Sequence, residues 1–315
     1  MIELVPLTPD HLDAISEMVR RESDHDSHPY VVTRIELAEM FDEPHFTPSE
    51  DGRVALFGGE PAGWARIWHQ PAGTGQERAH LMGTVDPPFR KQGVGSALLE
   101  WQLGRARDRL TAVPGDHPRY IRTMVYQWVT DATELFERNS MVAVRWFDEM
   151  IRPLDGSEQA TPLEGVTIVP WEEVDSTTVR AVKNAAFADH WGSTPTDAAM
   201  WASWLKGHGT RLDMSFVALA DGEIIGFSLN EHYPEDEARQ GRREGWIGSL
   251  GVLRDWRGRG VASALISTSM EKFVAAGFTH AALGVDSDNP TGAAGLYRRL
   301  GFESTHRSVC HELRL

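Results

Sequence analysis

Two glycine-containing segments of the chain carry the residue types that hold a phosphate. The first reads Arg90-Lys91-Gln92-Gly93-Val94-Gly95-Ser96-Ala97-Leu98 and the second Arg257-Gly258-Arg259-Gly260-Val261-Ala262-Ser263-Ala264-Leu265. Glycine lets a backbone approach an anion closely and turn through dihedrals that a side chain forbids. The elements that must position such loops are legible around them. Each follows an apolar run that reads as a strand, His80 to Val85 and Trp246 to Leu253, and each opens a segment with apolar residues at helical spacing, such as Val261, Ala264 and Leu265, then Phe273 and Val274. At a helix start the first N–H groups lack an intrahelical partner and the dipole is positive, so strand, glycine turn and helix together form a site for a pyrophosphate.

The spacing of the two copies also sets the domain organisation. A chain of 315 residues divides most simply into two domains, each able to bury its own core. The opening Ile2-Glu3-Leu4-Val5-Pro6-Leu7 is echoed by Thr167-Ile168-Val169-Pro170-Trp171, at nearly the separation of the glycine loops. The expectation is two similar folds in tandem, 1–153 and 164–315, joined through the turn-rich Pro153 to Pro162. In the second half, Phe216 to Ala220 and Ile224 to Leu229 flank Asp221-Gly222 as a hairpin. A third strand, Gly245 to Val252, enters the glycine loop. A fourth, Ala281 to Val285, ends at Asp286-Ser287-Asp288-Asn289-Pro290, before a helix that carries Ala293, Leu296 and Tyr297 and stops at Gly301-Phe302. These are the parts of an α+β fold, a mixed and mostly antiparallel sheet flanked by helices.

In the second half, Leu250-Gly251-Val252, Arg257-x-x-Gly260-x-Ala262, and Asn289 followed by Leu296-Tyr297-Arg298-Arg299-Leu300-Gly301-Phe302 resemble the acetyl-CoA motifs of the GCN5-related N-acetyltransferase (GNAT) superfamily. In length and organisation the chain resembles its tandem, mycothiol synthase-like members. The resemblance implies that the backbone N–H groups of Arg257, Gly258, Arg259, Gly260, Val261 and Ala262 hold the pyrophosphate of acetyl-CoA, the co-substrate. It further implies that the strand at Leu250 to Val252 pairs with the pantetheine arm, the Leu250 N–H polarising the thioester carbonyl. Asn289 would lie beside the arm, and the Tyr297 hydroxyl would protonate the leaving thiolate. The implied activity is acetyl transfer to a primary amine of a small molecule, an amino sugar conjugate or a specialised metabolite, within a ternary complex. Cys310, isolated near the terminus, is a poor nucleophile. The competing reading is a non-catalytic acyl-CoA-binding sensor.

In such tandem relatives an acidic residue on the strand before the loop is the base, and the matching position here is Trp246. Glu244, two residues earlier on the same strand face, is the first candidate, although Glu77 stands at the same offset in the first half; Glu231 and His232 are held in reserve. Asp189, His190, Trp191, Trp201 and Trp204 fall where the superfamily caps its acceptor site, and the tryptophans equally suit packing of a helical hairpin. The first half keeps its loop, with Arg90, Gly93 and Gly95 as coenzyme contacts. Phe136 stands where the tyrosine should, Ser140-Met141 replaces Gly-Phe, and Asp131 replaces the asparagine, so this half reads as degenerate and non-catalytic.

A net charge of −15 argues against a nucleic-acid partner. A lone cysteine and the lack of a basic-apolar leader point to the cytoplasm, and no apolar run approaches the ~18 residues that cross a bilayer. The expected partner is a small-molecule amine, with the protein a monomer or homodimer. Asp24-His25-Asp26-Ser27-His28 has ligand-type side chains but reads as a solvated turn, and no metal site is expected.

Overall fold

The computed structural model describes residues 1–72, 75–288 and 292–315. The chain forms two compact units, Met1–Arg145 with Ser308–Leu315, and Trp146–Arg307.

The first unit contains strands β1 (Ile2–Pro6), β2 (Gly52–Phe57), β3 (Glu60–Trp68), β4 (Glu77–Val85) and β5 (Arg119–Tyr126). Helices α1 (Leu12–His25), α2 (Arg34–Glu39), α3 (Pro48–Asp51), α4 (Val94–Thr111) and α5 (Thr130–Arg138) lie between them. Neighbouring strands pair antiparallel except β4 with β5, which are parallel. Helix α4 buries Leu99, Leu103, Ala106 and Leu110 against Ala79 and Leu81 of β4 and Ile121 of β5. The opposite face is closed by α1, whose Leu12, Ile15, Met18 and Val19 recur at helical spacing and pack on Val54 and Trp64.

The second unit repeats the plan. It contains β7 (Thr167–Pro170), β8 (Phe216–Ala220), β9 (Glu223–Glu231), β10 (Glu244–Val252) and β11 (His280–Asp286), with α6 (Ser176–Ala186), α7 (Ala198–Lys206), α8 (Glu237–Gln240), α9 (Val261–Ala275) and α10 (Ala293–Arg299). Again the central pair, β10 and β11, is parallel and the rest antiparallel. One face carries α6 and α7 over Val217, Phe227 and Leu229; the other carries α9 and α10 over Ile247, Leu283 and Val285. The Asp221-Gly222 turn joins β8 to β9, both residues at positive φ.

The strands that pair with β5 and β11 on their far sides come from the other half of the sequence. Strand β6 (Val142–Pro153) runs out of the first unit and from Phe147 to Pro153 pairs with β11. Strand β12 (Glu303–Arg314) begins in the second unit and from Ser308 to Arg314 pairs with β5. The halves drawn in the sequence at 153 and 164 therefore differ from the compact units in two segments. The cause lies in edge pairing: β5 and β11 each need a neighbour, and the antiparallel strand that supplies it is the one the chain offers after crossing over. The turn-rich segment after Pro153 is fastened to the second unit as well. Glu158 meets Arg152 with its side chain 2% exposed, and the Thr161 N–H donates to Ser267 Oγ at 2.9 Å.

Candidate active site

Strand β10 carries the irregularity on which the site is built. Trp246 lies opposite Glu231 and Ile247 opposite Asn230, but the next pair is Ser249 with Leu229, so Gly248 is bulged out of the ladder. The parallel ladder with β11 covers Glu244–Ile247 against His280–Leu283 and stops there, while both strands run on to Val252 and Asp286. The edges of β10 and β11 beyond Ile247 and Leu283 thus face a gap between two strands of one sheet, where an extended amide-bearing arm can take their hydrogen bonds. Leu250 and Val252 lie on this stretch of β10.

The glycine loop follows directly. Trp256 and Arg257 close a tight turn onto Leu253 and Arg254, and the Arg257 guanidinium folds back, its Nε donating to the Val252 carbonyl at 3.2 Å and Nη2 to that of Ala186 at 2.7 Å. Arg257 therefore shapes the loop with its side chain, while Arg259 lies over the Trp256 ring at 5.1 Å. Gly258 and Gly260 take positive φ of 73° and 89°, and α9 starts at Val261. Among the described residues the N–H groups from Gly258 to Ser263 have no backbone acceptor, the next bond being Ala264 N–H to the Gly260 carbonyl. An oxyanion of a diphosphate fits this row without displacing any partner. Asp189 fixes the loop from the α6 side, contacting Arg254 at 2.8 Å and Arg257 at 3.4 Å. Asp189 thus holds the glycine loop in place.

Tyr297 projects from α10 into the cluster of Met150, Leu283, Val285 and Phe302, and its ring is 8% exposed. Burial pushes the phenol up to about 12, so it stays protonated through neutral pH. Asn289 lies outside the described residues.

Glu244 is 6% exposed at the start of β10 and is engaged by Arg242. It shares a shallow pocket with Tyr233, Asp236, Glu237, Gln240 and Trp246, at the end of the strand away from Leu250. Glu231 sits differently. A Cβ placed on Gly248 would lie 2.3 Å from Glu231 Oε1, so the carboxylate fills the space above the bulge, and the Tyr233 hydroxyl donates to its Oε2 at 3.1 Å. His232 points away, to Glu237 at 2.8 Å and edge-on to Phe278, and burial lowers its pKa. Trp201 is a packing residue, 4% exposed against Trp171 with its indole N–H on the Ser176 carbonyl. Trp204 is half open over the Lys183 ammonium, and Trp191 meets Phe147 at 6.3 Å.

The first unit has the same frame with different contents. Arg90 Nε reaches the Val85 carbonyl, Gly93 has φ 89° at the start of α4, and Gly95 packs so closely on Leu135 that a Cβ would stand 3.2 Å away. The ladder between β4 and β5 stops at His80 and Arg122. Strand β4 lacks a bulge: it pairs with β3 from Gly63/Val85 to Trp68/His80 without a register shift. Counted back from the matching Val85 and Val252 along the antiparallel partners β3 and β9, β10 takes one extra residue at the bulge, so Glu244 corresponds to Arg78, one residue away from Glu77. Glu77 points to the α4 side, fully buried against His69 at 2.8 Å. Phe136 packs on this core with its ring 5.4 Å from His311.

The Asp24 to His28 segment departs from a solvated turn. Asp26 is 7% exposed and accepts from both Arg90 Nη atoms at 2.7 and 2.6 Å, and Glu22, Asp26 and His28 bring ligand atoms within 4.8 Å of one another. The reason is the loop arginine, which needs a carboxylate from α1 just as Arg257 is met by Asp189. Burial, and next the Asp26 charge, raise Glu22 to about 7. A raised folded-state carboxyl favours folding in its protonated form, so its benefit is complete below pH 4.5 and is lost as pH rises to about 7. Glu22→Gln is accordingly expected to raise the melting temperature at pH 8 by roughly 2–4 °C for each ~1 kcal/mol relieved, and to change it little at pH 4; calorimetric scans at the two pH values check this.

The model of the acetyltransferase (GNAT) family matches residues 14–120 and 177–302, once in each half and over most of the chain. The chain belongs to the GNAT family. It is 29% identical to a mycothiol acetyltransferase of Saccharomonospora viridis, across 96% of this chain and 95% of that one. A GCN5-related N-acetyltransferase of Sphaerobacter thermophilus superposes with a TM-score of 0.77 at 25% identity, over 99% and 95% of the two chains. A tandem GNAT protein from the clavulanic acid biosynthesis pathway has the same fold, with a TM-score of 0.72 at 17% identity and 100% and 98% coverage. The protein is thus an acyltransferase built as tandem GNAT folds, and acetyl-CoA is the co-substrate of this GNAT family. No helix among the described residues is long and apolar enough to cross a membrane.

Proposed function

We propose that the second unit transfers the acetyl group of acetyl-CoA directly to a primary amine of a small molecule in a ternary complex. The observation that carries this reading is the coincidence, in one unit, of three features: a parallel ladder open beyond Ile247, a row of unpartnered N–H groups from Gly258 to Ser263, and a protonated phenol at Tyr297. In this reading the loop binds the diphosphate and the exposed edge of β10 from Leu250 to Val252 binds the pantetheine. The Leu250 N–H stabilises the oxyanion, and Tyr297 gives its proton to the departing thiolate. Similarity to a mycothiol acetyltransferase over nearly the whole chain favours an amino sugar conjugate as acceptor, with a specialised metabolite as the other class. The first unit keeps a loop that suits coenzyme A but has neither the bulge nor the hydroxyl, and is assigned no turnover.

The test is release of free coenzyme A from acetyl-CoA against a panel of D-glucosamine, glucosaminyl conjugates, tyramine and free-amine dipeptides. Amine-dependent release supports the reading. Tight coenzyme A binding without release by any amine would favour a sensor.

A further inference from the structure

We propose that Glu231, on β9, is the general base of the acetyl transfer, in place of a carboxylate on β10. The inference rests on the acetyl-transfer reading of the second unit and adds to it the group that takes the proton from the acceptor amine.

Strand β10 has no acidic side chain near the gap. Its residues from Gly245 to Val252 are Gly, Trp, Ile, Gly, Ser, Leu, Gly and Val, and Glu244 is tied to Arg242 at the strand's far end. Glu231 is placed by three observations. It pairs directly across from Trp246, two positions before the bulge. Its carboxylate occupies the side-chain space of Gly248, so the absence of a side chain at 248 is what lets it reach over β10. Gly248 itself is exposed and lies where the β10–β11 ladder has just opened, so the carboxylate borders the gap that receives the thioester. Strand alternation puts Glu231 on the same face as Phe227 and Leu229, the side covered by α6 and α7.

The carboxylate is held in place above the bulge. Tyr233 donates to Oε2, and its ring is fixed against the Gly209 backbone, where a Cβ would stand 2.3 Å away. On the neighbouring segments, His208 meets Glu235 and Arg211 meets Asp213 after α7, His232 meets Glu237 beyond β9, and Arg242 meets Glu244 before β10.

The step balances as follows. The ammonium form of the acceptor gives one proton to Glu231, and the neutral nitrogen attacks the thioester carbonyl. The C–N bond forms and the C–S bond breaks. The thiolate takes the Tyr297 proton, and the second proton shed by nitrogen restores the phenol. Glu231 returns its proton to water, giving amide, free thiol and one H⁺.

The experiment uses the full chain with acetyl-CoA, with the best amine of the panel above and, separately, with water as acceptor. Glu231→Gln keeps size and hydrogen bonding and is expected to lower kcat by ~10²-fold or more. The acidic limb of the kcat/KM profile should disappear, while calorimetric affinity for coenzyme A is unchanged. Gly248→Ala is the second variant, since its methyl group must push the intact Glu231 side chain aside. It is expected to lower kcat about tenfold alone and to add nothing in the Glu231→Gln background, the mark of two changes acting on one group. Unchanged kcat and an unchanged acidic limb in Glu231→Gln would overturn the assignment, as would losses that multiply in the double variant. A wild-type chain that binds no coenzyme A would instead defeat the transfer reading itself.

Discussion

Gly260→Asp is expected to abolish coenzyme A binding by the second unit, with affinity falling by more than ~10³-fold and all turnover lost. Gly260 is the residue at which the loop turns into α9, with φ 89°, and its N–H stands in the row from Gly258 to Ser263 that has no acceptor. An aspartate there places its carboxylate among these N–H groups, occupying them with the sign of charge the diphosphate carries. Gly260→Asn is the matched control, because asparagine has the same size, tolerates left-handed backbone equally and bears no charge; it should bind more weakly than wild type and far better than the aspartate. Titration calorimetry on the three proteins, with near-ultraviolet dichroism as the check on folding, measures both differences. Equal affinity of wild type and Gly260→Asp would move the diphosphate elsewhere.

Tyr297→Phe is expected to lower turnover by something on the order of 10²-fold, the contribution of one positioned acid, with coenzyme A affinity and folding intact. The ring is a core residue, packed between Met150, Leu283 and Phe302, and phenylalanine fills the same volume. The first unit already contains this substitution: Phe136 packs in its core against His311. Because burial holds the phenol at about 12, Tyr297 ionisation should leave the pH–rate profile flat through pH 9 in the wild-type chain. The counter-experiment is Gly93→Asp in the first loop. Arg90 is best left alone, since a glutamate there would join Asp26 and Glu22 as a third carboxylate. Steady-state kinetics should find Gly93→Asp close to wild type; the opposite ranking of the two variants would place the chemistry in the first unit.

The parts of the site that depend on local backbone chemistry could be read in the sequence. Glycine at 258 and 260 marked the positive-φ turn, the apolar periods on either side marked strand and helix, and the hydroxyl missing at Phe136 marked the altered copy. What escaped were features that exist only across strands. The bulge at Gly248 adds one residue to β10, so an alignment by constant offset set Glu77 against Glu244, whereas Glu77 is buried on the opposite face. Glu231 comes to Gly248 only because β9 and β10 pair, and no spacing within either strand reports that a side chain of one fills the space above the other. Asp26 looked solvated because its partner, Arg90, is distant in sequence. The crossing of β6 and β12 was invisible for the same reason: each strand has an ordinary pattern, and nothing local says which sheet it joins.

That crossing imposes an order on biosynthesis. The β5 edge of the first unit is completed by residues such as His311, which pairs with Thr123, and these leave the ribosome after the second unit. The amino half, though it carries its own helices and core, waits with an open strand edge until the second unit has been made. Contacts of such long sequence separation form slowly and leave the edge exposed to other chains meanwhile. The other unit takes β6, which is synthesised before it, and can close once β11, α10 and Phe302 have emerged. The half proposed to carry the chemistry is thus the first able to finish folding, and the older stretch of the nascent chain is finished after it.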